Sequence, residues 1–160
     1  MTSPRPSSTI VELPNDLEVV VTREFEAPIE LVFAALTKPE HMTRWIFERE
    51  LEECSVDLRV GGSYRFVLVT DDGAEMSFGG TYLEVDPPRR TVATWLVEGR
   101  PEGLPPTHAI ETCELSETGG VTTMTVTLAF SDNADRPTRF AGMQESYDRL
   151  AELLCLMAAA

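Results

Sequence analysis

Few side chains in this 160-residue chain have both the type and the spacing that catalysis requires. Glu111 is the main candidate, because it alternates with Cys113 and Leu115 in a stretch that has the two-residue period of a β-strand. That period predicts a carboxyl group pointing inward on an otherwise apolar face. Such a group either pairs with a partner or takes up a proton, so it could act as an acid or base or contact a ligand.

A second charged residue has a similar setting. Arg23 alternates with Val21 and Phe25, which predicts that its guanidinium group also points inward. A buried charge is normally paired, and an ion pair between Arg23 and Glu111 is one interpretation. A β-bulge that turns either residue outward is the other.

The sequence lacks the motifs that mark many enzyme and metal sites. The histidines, His41 and His108, are far apart, and neither is spaced from cysteines or carboxylates as a metal ligand would be. No Gly-x-Ser-x-Gly, phosphate loop or dinucleotide fingerprint is present, and Gly61–Gly62 is typical of a hairpin turn. We therefore predict no metal and no cofactor, and the sequence favours a protein that is not an enzyme.

The elements that must position these residues follow from the hydrophobic periodicity. Residues 17–25 alternate as a half-buried strand. A short helix then follows Pro28, with apolar residues at i, i+3, i+4 and i+7, and ends before Pro39. The stretch "EHMTRWI" predicts a second short helix. After Glu50, about six further strands alternate with turns rich in Gly, Asp and Pro.

The stretch "GMQESYDRLAELLCLM" near the end predicts a long amphipathic helix. Asp135 is its predicted N-cap, and Pro137 is expected in its first turn. Hairpin-joined strands form an antiparallel sheet with one dry face, so we expect the helix to lie across that face. The predicted fold class is therefore α+β, with residues 15–160 in a single domain. The apolar seam of the helix consists of Met143, Tyr147, Leu150, Leu154 and Met157.

Large side chains would converge between such a sheet and such a helix. Tyrosine hydroxyls in that region need partners, which the polar group of a ligand or a water molecule could supply. The alternative is that the aromatic rings simply fill the core. Gly79, Gly80 and Gly142 favour a hollow beside the rings, although bulges or close packing use glycine equally well. The predicted ligand-binding residues are Trp45, Phe47, Tyr64, Phe66, Phe78, Tyr82, Trp95, Glu111, Met143, Ser146, Tyr147 and Leu150.

The composition of the chain excludes some classes of partner and indicates a cellular compartment. Asp and Glu number 27 against 13 Lys and Arg, and the resulting net charge of -14 repels nucleic acid and anionic membranes. The three cysteines show no C-x-x-C spacing and favour reduced thiols in a cytoplasmic protein. Residues 1–14 are polar and proline-rich, so we expect a disordered tail and not a signal peptide. No apolar run is long enough to span a bilayer.

Four stretches of the chain resemble one protein family. They are "REFEAPIELVFAALTKPEHMTRW", "VDLRVGGSYRF", "GTYLEVDPPRRTVATW" and "GMQESYDRLAELL", and they resemble the homologues of the activator of heat-shock-protein-ninety ATPase, within the START-like (SRPBCC) superfamily. The resemblance implies a helix-grip fold, in which a curved antiparallel sheet of about six to seven strands wraps around the long C-terminal helix. Two short helices follow the first strand, and a cavity lies between sheet and C-terminal helix. Met143 and Tyr147 differ from the Trp and Leu common in the family, so we expect a different ligand shape.

Three functions remain open. We favour the binding of a small hydrophobic or amphipathic molecule in the cavity, because aromatic residues dominate its predicted lining. The resemblance also implies a co-chaperone-like activator of a heat-shock chaperone ATPase, with a role in the stress response. A cyclase-, aromatase- or hydrolase-type enzyme is the third possibility, and it would depend on Glu111 and the tyrosines. We expect a monomer or a homodimer.

Overall fold

The main element of the protein is an antiparallel β-sheet. The computed structural model describes residues 9–99, 107–131 and 143–159, and within them the sheet has eight strands. Their order across the sheet is β1-β2-β8-β7-β6-β5-β4-β3, so β3 to β8 follow one another as neighbours and β2 joins the last strand. The strands are β1 (Ile10–Glu12), β2 (Glu18–Phe25), β3 (Glu53–Val56), β4 (Ser63–Val69), β5 (Glu75–Asp86), β6 (Arg90–Glu98), β7 (Thr107–Thr118) and β8 (Val121–Phe130).

The predicted count of six to seven strands is wrong, because the sheet has 8. The unpredicted strand is β1, which lies in the segment expected to be a loose tail and pairs with β2, Val11 opposite Val21. A three-residue strand is too short to show alternation, so the sequence carries no signal for it. It forms because the free edge of β2 offers unpaired backbone groups and because Val11 packs against the core.

Two short helices follow β2, as predicted: α1 (Ile29–Thr37) and α2 (Pro39–Met42). Helix α1 begins after Pro28 and has Glu30 in its first turn, where a negative charge is favourable. It ends at Thr37, because the backbone of the next residue, Lys38, is extended before Pro39. Helix α2 is shorter than the stretch "EHMTRWI" predicted, since it ends at Met42.

The long C-terminal helix, α3 (Met143–Ala159), places the predicted seam against the rest of the protein. Its side chains join the same core cluster as the inward residues of the sheet, and the helix also packs against α1. The predicted N-cap Asp135, Pro137 and Gly142 lie outside the described residues. The buried residues of α3 are Met143, Tyr147, Leu150, Leu153 and Leu154.

The glycines of β5 are sites of close backbone packing. A Cβ atom on Gly80 would lie 1.8 Å from the carbonyl oxygen of Thr94, and one on Gly79 would lie 2.5 Å from that of Tyr64. Neither distance is possible for a real Cβ, so β5 needs glycine where it passes between its neighbouring strands. Of the two roles considered for these glycines, close packing therefore accounts for Gly79 and Gly80.

Candidate functional site

A cavity of about 160 Å³ lies between the sheet, the short helices and α3. Its walls come from β4 to β8, from α1, from the segment that follows α2, and from the first turns of α3. The volume is small compared with the several hundred Å³ of a typical ligand pocket. It is close to that of apolar cavities of about 150 Å³ that accept benzene, so one ring with a short substituent matches its size.

The structure brings together nearly all of the residues that the sequence analysis proposed for this region. Leu150 is the exception, because it is fully buried in the core cluster and does not line the cavity. The other proposed residues all line it, and they are Trp45, Phe47, Tyr64, Phe66, Phe78, Tyr82, Trp95, Glu111, Met143, Ser146 and Tyr147.

Sequence reasoning missed the small side chains of the lining and the lining residues that come from the short helices. Two-residue periodicity could have found Ala93 and Thr91, which share a face of β6 with Trp95, and it could have found Cys113 beside Glu111. Helical periodicity already placed Phe33 on an apolar face of α1, but it could not say what that face contacts. The additional lining residues are Phe33, Leu36, Thr37, Met42, Ile46, Arg90, Thr91, Ala93, Cys113, Leu115 and Val126.

The segment after α2 is held between α1 and α3 by side-chain hydrogen bonds. The Trp45 indole N–H donates to the carbonyl oxygen of Ala35 at 2.8 Å. From α3, the Ser146 hydroxyl donates to the carbonyl oxygen of Ile46 at 2.9 Å, and Arg149 Nε donates to that of Trp45 at 2.9 Å. These bonds satisfy the backbone carbonyl oxygens of the segment and hold its rings against the cavity.

Two polar side chains, those of Tyr82 and Glu111, lie in the sheet wall of the cavity. Strand register places Tyr82 opposite Ala93 and Ala93 opposite Glu111, so the three lie in one row across β5, β6 and β7. Adjacent strands are about 4.8 Å apart, so Tyr82 and Glu111 are separated by the strand that carries the small Ala93 side chain, and all three residues line the cavity. On the neighbouring strand β8, the residue opposite Glu111 is the fully buried Leu128. The row therefore combines a carboxyl and a hydroxyl group within apolar walls.

The pKa values of the neighbouring groups reflect this environment. Burial raises the pKa of the Tyr82 phenol, and the negative charges of Glu111 and Cys54 raise it further. Burial also raises the pKa of the Cys113 thiol, with added contributions from Glu111 and Glu114. Both groups are therefore neutral at pH 7, and the Cys113 thiol is a weak nucleophile.

Tyr64 and Tyr82 place two hydroxyl groups in the lining of the cavity. The Tyr64 hydroxyl donates to the carbonyl oxygen of Thr94 at 2.9 Å. Tyr82 is buried as well. With the carboxyl group of Glu111, these hydroxyls are polar groups within the sheet wall of the cavity.

The predicted pair of Arg23 with Glu111 is wrong. Arg23 is buried as expected, but its Nη1 donates to Asp148 Oδ1 of α3 and to Thr9 Oγ1, and its guanidinium carbon lies 5.6 Å from the centre of the Phe25 ring. Its Nε is buried without a hydrogen-bond partner. Alternation gives the direction of a strand side chain but not its partner, which depends here on where α3 lies.

Within residues 9–99, 107–131 and 143–159, no three His, Cys, Asp or Glu side chains are grouped as metal ligands would be. Of the helices in the described part of the chain, none is long and apolar enough to cross a membrane.

An antiparallel sheet and a C-terminal helix that enclose a cavity define a helix-grip protein of the START-like class. The model of one family in that class, described as "Activator of Hsp90 ATPase homolog 1-like protein", matches residues 26–155. The chain belongs to this family.

Solved structures from several bacteria share the fold. A protein from Rhodobacter sphaeroides superposes with a TM-score of 0.79 at 23% identity, covering 92% of this chain and 98% of that one. One from Mycobacterium smegmatis gives a TM-score of 0.79 at 19% identity, covering 95% and 99%. One from Chromobacterium violaceum gives 0.75 at 27% identity, covering 89% and 98%. No curated protein matches the chain at a significant level.

Proposed function

We propose that the protein binds one small, largely apolar molecule with a single polar group in the cavity between the sheet and α3. The observation that carries this proposal is the cavity of about 160 Å³, which is walled by aromatic rings and also lined by Tyr82 and Glu111. Apolar walls supply the driving force for binding, and a few placed polar groups supply orientation. Membership of the family is compatible with this role.

The size of the cavity sets the affinity to be expected of a simple probe. A single ring with one substituent has about eight non-hydrogen atoms, and about 0.5 kcal/mol for each gives a total near 4 kcal/mol. That corresponds to a Kd of about 1 mM, so probes must be tested at millimolar concentration. A natural ligand that fits the walls better would bind more tightly.

The experiment uses the cysteines as reporters of occupancy. Cys113 lines the cavity, whereas Cys155 is exposed on α3, so alkylation followed by mass spectrometry compares both thiols in one sample. Toluene and benzyl alcohol at millimolar concentration should slow alkylation of Cys113 and leave that of Cys155 unchanged. Native mass spectrometry against metabolite mixtures would then identify the natural ligand.

A variant whose cavity is filled by a larger side chain tests the proposal, and a matched variant outside the cavity is its control. Ala93→Leu adds bulk between Tyr82 and Glu111, while Ala129→Leu makes the same change on β8, where Ala129 lines the opposite surface of the sheet. We expect Ala93→Leu to abolish the protection of Cys113 and Ala129→Leu to retain it. Equal protection in both variants, or none in the wild type, would contradict the proposal.

Activation of a heat-shock chaperone ATPase, with a role in the stress response, is the second candidate, and membership of the family supports it. Such an activator acts through a surface and not through the cavity. The test is the ATPase rate of the cognate chaperone with and without this protein, with Ala93→Leu as a further sample. An unchanged rate would remove this candidate, and a rise that Ala93→Leu leaves intact would favour it over ligand binding.

Catalysis on a cavity ligand is supported by one observation, that Glu111 and Tyr82 lie in the same row of the sheet, with Ala93 between them, and both line the cavity. A carboxyl and a phenol group within apolar walls are suitable as an acid–base pair. Turnover of a bound molecule that Glu111→Gln stops, with binding retained, would support a cyclase-, aromatase- or hydrolase-type activity. The three free cysteines of the protein support a reducing compartment, and we propose the cytoplasm.

A further inference from the structure

One part of the cavity wall is neither helix nor strand. Residues 43–52 lie between the end of α2 and the start of β3, and we call them the covering segment. Trp45, Ile46 and Phe47 of this segment line the cavity. The centre of the Phe47 ring lies 4.8 Å from that of Phe78 on β5, so the segment reaches the sheet wall. It therefore closes part of the space between the sheet and α3.

The covering segment is the part of the wall that can move most readily. Most rings of the lining are buried, so we expect a ring-sized guest to enter by displacing part of the wall. Each strand from β4 to β8 is paired with a neighbour on both sides, which fixes the sheet wall. Helix α3 is fixed as well, since Leu150 is fully buried in the core and Asp148 is paired with Arg23 of β2. Segments outside helices and strands generally open at lower cost.

One side chain of α3, Arg149, makes several of the bonds that hold the covering segment closed. Its Nε donates to the carbonyl oxygen of Trp45 at 2.9 Å, and its Nη2 donates to that of Ile46 at 3.2 Å. Its Nη1 lies 3.5 Å from Glu48 Oε1. All three guanidinium nitrogens therefore contact the segment, and charged donors form stronger hydrogen bonds than neutral ones.

These bonds can be broken and formed again without unfolding the protein. The Arg149 side chain is 24% exposed and that of Glu48 is 79% exposed, so water reaches the bonds and can solvate both sides when they separate. The neighbouring residue Asp148 keeps α3 attached to the sheet meanwhile. The covering segment can consequently move while the helix stays in place.

We propose, building on the ligand-binding function above, that the covering segment is a gate through which the guest enters and leaves the cavity, and that Arg149 is the positioning residue that holds it closed. Arg149 then sets the rates of ligand exchange and not the affinity. Opening precedes both entry and exit, so a less stable closed state raises both rates by the same factor. The Kd stays nearly the same as long as the closed state predominates.

The first test measures opening without any ligand. The Trp45 indole N–H is buried and donates to the carbonyl oxygen of Ala35, so its hydrogen exchange requires the covering segment to move. NMR follows this exchange together with that of the Val126 amide, on β8 between β2 and β7. Arg149→Met removes the donors and keeps an unbranched side chain of high helix propensity. Exchange at Trp45 should become about tenfold faster relative to Val126.

The second test measures ligand exchange with 4-fluorotoluene as the probe. Relaxation dispersion of its fluorine signal gives the rates of association and dissociation, and a titration gives Kd. Both rates should rise about tenfold in Arg149→Met, while Kd changes by about twofold or less. A role of Arg149 in the shape of the cavity alone would change Kd instead.

Arg44→Met is the matched control. Arg44 belongs to the same covering segment and is exposed, and its replacement changes the net charge by the same amount. It should retain wild-type exchange at Trp45 and wild-type rates for the probe. Equal acceleration in both variants would mean a response to charge alone and would overturn the inference.

The remaining outcomes separate the two proposals. Acceleration of Trp45 and Val126 by the same factor in Arg149→Met would mean global destabilisation and would overturn the inference. A probe that binds with unchanged exchange rates would overturn it too and leave the ligand-binding function standing. Failure of the probe to bind up to its solubility would remove the ligand-binding function, and exchange at Trp45 would then decide whether Arg149 holds the segment. If Arg149→Met does not fold, Arg149→Lys, which loses the paired donors, should show a smaller acceleration in the same direction.

Discussion

Arg23 shows how one buried charge connects the last helix to the sheet. Its side chain comes from β2, near one edge of the sheet, and its partner Asp148 comes from α3. The guanidinium group is almost fully buried, whereas the Asp148 side chain is 51% exposed, so the charge pair lies at the boundary of the core. Removing the exposed partner would leave a cation in an apolar setting, which is costly.

We predict that Asp148→Asn lowers the free energy of unfolding by about 1–2 kcal/mol, less than for a fully buried pair because water reaches Asp148. Urea unfolding followed by circular dichroism measures the change. The control is Glu152→Gln, which removes an exposed carboxylate from the same helix and should change stability by less than about 0.5 kcal/mol. Equal effects of the two variants would show that the Arg23 pair contributes nothing specific.

The raised pKa of the Cys113 thiol predicts how the stability of the folded protein changes at alkaline pH. Its pKa is raised in the folded protein by burial and by the charges of Glu111 and Glu114, so the folded state retains a proton that the unfolded state releases. The stabilisation is fully present below the unfolded thiol pKa of about 8.5 and is lost as the pH rises above it, by up to about 1.4 kcal/mol per pH unit. Tyr82 adds a similar loss above about pH 10, the ordinary pKa of tyrosine.

The measurement is urea unfolding between pH 7 and pH 10 for the wild type, Cys113→Ala and Cys155→Ala. Each variant is compared with its own value at pH 7, so that packing changes cancel. Cys113→Ala should lose clearly less stability between pH 8.5 and pH 10 than the wild type does. Cys155 is exposed, and its replacement should leave the wild-type slope unchanged. The same slope for all three proteins would refute the prediction.

At the scale of elements, α3 closes one side of the cavity, and its apolar seam packs the helix onto the core. Leu150 is fully buried in the core, whereas Leu156 on the same helix is 63% exposed. The pair therefore allows one substitution to be compared at two levels of burial. Helix propensity and chain entropy are nearly the same in both cases, so the difference reports packing alone.

Leu150→Ala should lower the free energy of unfolding by about 2–5 kcal/mol, because it removes buried methyl groups and leaves a void next to the core cluster. Leu156→Ala should change it by less than about 0.5 kcal/mol. Chemical denaturation of the two variants measures both values. A cost for Leu150→Ala near that of Leu156→Ala would mean that α3 is not packed on the sheet as described.

The whole molecule carries a large excess of negative charge. The chain has 27 acidic and 13 basic residues. Its carboxylates lie closer together in the folded state than in the expanded unfolded state, so they repel one another more strongly when the protein is folded. Several of the described ion pairs, such as Arg59 with Asp57 and Arg89 with Asp86, are exposed and compensate only locally. Screening the net charge should therefore favour the compact state.

We predict that raising NaCl from about 10 mM to about 150 mM increases the melting temperature by a few degrees, as the screening length falls from about 30 Å to about 8 Å. Differential scanning calorimetry at pH 7 gives the value. KCl at the same ionic strength should have the same effect, which distinguishes screening from the binding of one ion. A melting temperature that stays constant or falls with salt would contradict the prediction.

The sequence by itself determined the elements and the face that each presents. Alternation on β7 placed Glu111 inward, and the seam of α3 placed Met143 and Tyr147 toward the sheet, because strand and helix periods follow from local backbone geometry. Proline and glycine marked where α1 ends and where the hairpins turn. The family resemblance then gave the arrangement of sheet and helix, and most of the candidate lining followed from it.

Only the tertiary structure decided which of these faces meet. Asp148 and not Glu111 pairs with Arg23, Leu150 lies in the core and not at the cavity, and β1 exists because the edge of β2 was open to pairing. The volume of the cavity also depends on how all its walls pack at once. Each of these features joins residues that are distant along the chain, and local periodicity constrains direction without fixing distance.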